Sequence, residues 1–180
     1  MTLESLSKLI TPPISPVDSG TSNDWEEIEK LSGINLPDDY KQFITTFGTG
    51  QFGNFLLPFN PFSSNQHLNL LKQVEMRLDS MRKMIEIYGT DDYPYPLYPD
   101  ADGLLPWGST DNGDQLFWLT TGNPNNWSVV VHAPRDGVFE HYAESMTSFL
   151  EKLIRRDVVS QIFPKDFLEN DILFLSIEKK

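Results

Sequence analysis

The stretch LLPWGSTDNGDQLFWLTTGNPNNWSVVVHAPRDGVFEHY, Leu104 to Tyr142, decides the fold. It reads as three or four short antiparallel strands joined by turns. Leu116 to Leu119 is apolar on both faces, which predicts a central strand covered on both sides. Trp127, Val129 and Val131 alternate with Ser128, Val130 and His132, the pattern of a mostly buried neighbour. Val138 to Tyr142 alternates again after Pro134-Arg135-Asp136-Gly137, residues suited to a hairpin loop. The expected architecture is α+β: a single domain with a mostly antiparallel sheet of about five or six strands, flanked by helices.

Upstream of that stretch the period changes to helical. Trp25, Ile28 and Leu31 share one side of a helix that Asn23 can cap, with Glu26 at the capping-box position and Gly33 as the stop. Pro37 suits the first turn of the next helix, and Asp38 and Asp39 complement the N-terminal end of its dipole. Tyr40, Phe43, Ile44 and Phe47 then fall at i, i+3, i+4 and i+7, and Gly48 ends the run. Phe52 to Phe59 reads as one strand. The longest helix is expected over Asn65 to Tyr88, its Leu71, Val74, Leu78, Met81, Ile85 and Tyr88 packed against the sheet. The following DDYPYPLYPDADG, Asp91 to Gly103, carries three prolines and reads as an ordered surface loop. Residues 1–21 are rich in Ser, Thr and Pro and read as a loosely held arm, with one domain from 22 to 180. Past the sheet, Phe149, Leu150, Leu153 and Ile154 make an amphipathic helix starting near Ser145 or Thr147. The apolar tail ILFLSI is open between strand and extended segment.

The absence of cysteine from the sequence removes disulfides, thiolate zinc sites and cysteine nucleophiles together. The N-terminus lacks a basic signal-peptide region and no apolar run is long enough to span a bilayer, so a cytoplasmic protein is expected. The net charge of −12, from 14 Lys+Arg against 26 Asp+Glu, argues against direct binding to nucleic acid or an anionic membrane. That charge is concentrated. From Asp91 to Glu140 the acids are Asp91, Asp92, Asp100, Asp102, Asp111, Asp114, Asp136 and Glu140, against the lone base Arg135.

Motifs for catalysis are weak. Gly48, Gly50 and Gly53 match G-x-G-x-x-G, but they follow a helix and precede a strand, the reverse of a dinucleotide site. Asp111-Asn112-Gly113-Asp114 lacks the spacing and terminal glutamate of a calcium loop and reads as a hairpin turn. His67, His132 and His141 have no zinc spacing, and no serine sits in a G-x-S-x-G elbow. No cofactor or metal is expected, and no enzyme. A pair of carboxylates acting in acid/base chemistry stays open as a rival.

Ile34 to Phe59, INLPDDYKQFITTFGTGQFGNFLLPF, resembles the opening signature of the SUKH superfamily: Leu36-Pro37, acids, Tyr40, Phe43, then Phe47, Gly48 and Gly50. Leu105-Pro106-Trp107-Gly108, Asp111 to Asp114, Phe117-Trp118 and the late Ser148-Phe149-Leu150 resemble the family too. The resemblance spans roughly Trp25 to Ile154, leaving 155–180 as an extension. It implies a non-catalytic domain of the group that includes fungal cell-wall-assembly regulators and bacterial immunity proteins. The expected function is neutralisation of a cognate toxin domain, a basic nuclease, through the acidic surface, by a chain for which a monomer is favoured. Asp91, Asp92, Tyr95, Asp100, Asp102, Asp111 and Asp114 are the expected partner contacts, with the acids facing toxin Lys/Arg and the tyrosine as anchor. A regulatory or scaffolding protein with an endogenous partner is the other rival.

Overall fold

A computed structural model describes residues 3–168 and 173–177. In chain order these form α1 (Leu3–Leu9), α2 (Ser22–Ser32), α3 (Asp38–Phe47), β1 (Gly50–Phe52), β2 (Leu56–Pro58), α4 (Leu70–Tyr88), β3 (Leu104–Thr110), β4 (Gln115–Leu119), β5 (Ser128–Ala133), β6 (Val138–Tyr142), α5 (Met146–Arg155) and β7 (Phe174–Ser176). Short 3-10 turns lie at Pro124–Asn126 and Lys165–Leu168. One sheet takes all seven strands in the order β6-β5-β4-β3-β2-β1-β7, every neighbouring pair antiparallel.

Alternation places the side chains in two sets, and each set explains what covers it. Trp118, opposite Val129 and then Tyr142, faces the helices: Tyr40 of α3 meets the Trp118 ring at 5.0 Å and Phe149 of α5 meets Tyr142 at 4.8 Å. The opposite face carries Phe117, Val130, His132 and Phe139, and the loop after α4 lays Tyr93 on His132 and Phe139. Helix α4 packs on β3. The central strand is thus covered on both sides, and Leu116, Phe117 and Trp118 are fully buried.

Several boundaries differ from expectation for local reasons. The expected single strand over Phe52 to Phe59 is a hairpin, because Gly53 and Asn54 both take φ near +55° and reverse the chain. The first amphipathic helix is capped by Thr21, not Asn23, with Asp24 completing the capping box. Helix α4 starts at Leu70; Asn69 caps it through Lys72 N while its amide holds Pro61 O and Ser63 O, and Leu68 N and Asn69 N both donate to Asn65 O, which closes 65–69 into a turn. The expected loose arm is docked over its described part. Helix α1 lies on α5 with Leu6 and Ile10 buried, and Val17 forms a parallel bridge to Gly48.

The glycines of the G-x-G match have a packing role. At Gly48 (φ +71°) a Cβ would stand 2.3 Å from Val17 O, and at Gly50 it would stand 2.4 Å from the Phe174 ring. The first lets the N-terminal segment cross α3's end; the second lets β7 lie beside β1. The described part of the apolar tail is therefore a strand, with Gly50 opposite Ser176 and Phe52 opposite Phe174.

Candidate partner-binding surface

The Leu-Pro-Asp-Asp-Tyr run works as a set of internal ties. Asp38 Oδ2 accepts from Asn125 Nδ2, and Asn125 Oδ1 accepts from Asp38 N, both at 2.8 Å. Asp39 Oδ2 accepts from Thr147 N and Oγ1 at 3.0 Å, and so caps α5 from α3, a position Ser145's own side chain leaves unfilled. Tyr40 is fully buried and donates to Phe59 O at 2.6 Å. Burial raises its phenol well above the ordinary value, so it is a neutral donor at every working pH. These signature residues are consumed by the fold.

The loop from Gly89 to Gly103 is different. Prolines 94, 96 and 99 keep it out of any ladder, yet it is well anchored. Leu97 bridges Leu104, Tyr98 N donates to Leu104 O, and Leu104 N donates to Pro96 O. Arg82 of α4 reaches across and donates to Tyr98 O at 2.8 Å. Tyr95 is half-buried with its ring 5.8 Å from Phe139. Phe139 stacks on His132 at 3.9 Å, and burial lowers the His132 imidazole to about 4. The rings are held from below, and their outer edges line a groove of about 510 Å³ between loop and helix, with Ile85, Glu86, Tyr93, Tyr95, Pro96 and Asp100 in its walls.

The structure divides the seven expected contacts. Asp91 and Asp92 are exposed beside the groove residues Thr90 and Tyr93, Asp100 and Tyr95 line it, and Asp102 is exposed just beyond. Asp111 is exposed but stands at the opposite end of β3, a strand of seven residues and so about 23 Å away. Asp114 is not available as a contact: it is 8 % exposed, its carboxylate accepts from Thr110 Oγ1 at 2.7 Å, and its N–H takes a bond to the same hydroxyl. Glu86 and Tyr93 also line the groove, neither of them among the seven expected contacts. Glu86 sits on a helix of balanced charge, and only the fold-back of the proline loop onto α4 would have pointed to it.

Among the described residues no group of three or more His, Asp or Glu could hold a metal ion, and no helix is long and apolar enough to cross a membrane. What the fold presents here is a groove lined by fixed aromatic rings, with acids in and beside its walls. The chain belongs to the SUKH_6 family, described as SMI1-KNR4 cell-wall, which it matches over residues 22–150. No curated protein and no solved structure matches it.

Proposed function

We propose that this chain is an immunity protein that binds a cognate bacterial toxin domain with a basic face and blocks its active site or substrate groove. One observation carries the reading. From Met84 to Asp102 the chain holds Glu86, Asp91, Asp92, Asp100 and Asp102 and no Lys or Arg, arranged around ordered tyrosines. A nuclease must attract phosphate and is basic where it does so, and an inhibitor competes by placing carboxylates there. Membership of a SUKH family supports a protein partner, since the resemblance implies immunity proteins without catalytic residues. The inhibitor would work in the cytoplasm as a monomer. The family's cell-wall description favours a second reading, a regulator with an endogenous partner.

The test is growth rescue in bacteria. The C-terminal domain of whichever large secreted protein is encoded beside this chain's gene is induced with and without the chain. The intact chain is expected to restore growth, and the variant carrying Asp91→Lys, Asp92→Lys and Asp100→Lys to lose most of that protection while folding normally. Toxicity unchanged by the intact chain overturns the reading.

A further inference from the structure

We propose that the groove between the tyrosine loop and α4 receives an extended, proline-bearing basic segment of the partner, held in a polyproline II conformation. This rests on the reading that the same face meets a basic protein, and it adds where and how the contact is made.

Three properties of the groove converge on that occupant. The first is its wall. Tyr93 and Tyr95 present aromatic rings, and Pro94, Pro96 and Pro99 apolar ones, over a volume of about 510 Å³, and the tyrosines are already fixed by Phe139 and His132 beneath. Aromatic-lined grooves of this kind select polyproline II segments, because both sides are ordered before they meet. The second is its main chain. Prolines supply no N–H, and Tyr93 N and Tyr98 N are spent on Thr90 O and Leu104 O. The loop is therefore a poor template for a strand ladder, and its partner is gripped by rings. The third is charge. Glu86 and Asp100 lie in the walls and Asp91, Asp92 and Asp102 flank them, so carboxylates outnumber the one guanidinium in the lining, Arg82, which donates to Tyr98 O. Arg or Lys between the prolines would find carboxylates at the rim. A second groove of about 840 Å³ shares Arg82 and Pro99 with the first and runs along α4 with Glu75 and Asp79 as well as Lys72 in its lining, so its charge is balanced and the basic segment is expected in the first groove.

Fluorescence anisotropy with three labelled ten-residue peptides tests this on the full chain. One alternates Pro and Arg, one replaces every Pro by Ser, and one replaces every Arg by Glu. The Pro-Arg peptide is expected to bind saturably, the Ser-Arg peptide about tenfold more weakly, and the Pro-Glu peptide not at all. Tyr95→Ala is expected to weaken the Pro-Arg peptide about tenfold, the loss of one ring contact. Amide shifts of the unmodified protein on titration should centre on 82–100, a readout that stands even if the variant folds poorly. Equal binding of the Pro-Arg and Ser-Arg peptides, or shifts centred elsewhere, overturns the groove proposal while the acidic-surface reading survives. Peptide binding as expected without growth rescue removes the toxin reading and leaves the groove. A dimer in sedimentation that Tyr95→Ala abolishes assigns the groove to a second copy and also overturns the proposal.

Discussion

His132 gives the fold a built-in sensitivity to acid. Its ring is 4 % exposed, stacked on Phe139, with Phe117 and Tyr93 at its other sides, and its Nδ1 finds no hydrogen-bond partner among the described residues. Burial lowers its pKa from 6.5 to about 4. The unfolded chain binds a proton near pH 6.5, where the folded chain still refuses one. The contribution is therefore fully present above pH 6.5 and is lost as pH falls towards 4. Linkage over that window puts the loss between pH 8 and pH 5 at about 2 kcal/mol. Acid acts on the rest of the chain as well, so the useful quantity is a difference between proteins. His132→Phe keeps a ring against Phe139 and removes the titration. Urea unfolding, followed by the four buried tryptophans, would be run at pH 8 and pH 5 on both proteins. The unmodified protein should lose about 2 kcal/mol more than the variant on acidification. Equal losses would mean that His132 is protonated without cost, and the account of its burial would be refuted.

Other positions carry equally direct expectations. Gly48→Ala should cost about 3 kcal/mol, since the added methyl meets the Val17 main chain in a backbone region that favours glycine; urea midpoints measure it, and a neutral result would show that the N-terminal segment is not held there. Asp39→Ala should cost about 1–2 kcal/mol by uncapping α5, with amide exchange rising first over Met146 to Phe149. Asp114→Ala should destabilise by about 1–2 kcal/mol yet leave partner affinity unchanged, because its carboxylate is engaged by Thr110. Lost affinity at unchanged stability would return Asp114 to the interface.

What was legible in advance follows from how the information is carried. The β3 to β6 meander announced itself because period-two alternation and turn residues agree over nearly forty positions, and its edges came out within about a residue or two. Helix α1 was not legible. It has seven residues, too few to be stable alone, and its Leu6 and the Ile10 that follows it acquire meaning only when α1 is docked on α5. The β1–β2 turn was hidden inside a glycine motif that suggested another use. In the site, the amount of charge could be read directly but its position could not. Asp111 and Asp114 are three residues apart, yet one is exposed and the other turned into its own hairpin. Asp102 and Asp111 look adjacent in sequence until a straight strand is placed between them.

The pairing of β7 with β1 also has a consequence during synthesis. Strand β1 ends at Phe52 and its partner begins at Phe174, so about 120 residues must be made before that flank of β1 is covered. At about 5–20 residues per second, a nascent chain would carry an unpaired strand flank for on the order of ten seconds. Phe52 and the stacked Phe43 and Phe47 lie just behind it. Until the last strand leaves the ribosome, the emerging protein offers a bare row of amides above a cluster of phenylalanines, a combination that invites pairing between neighbouring chains.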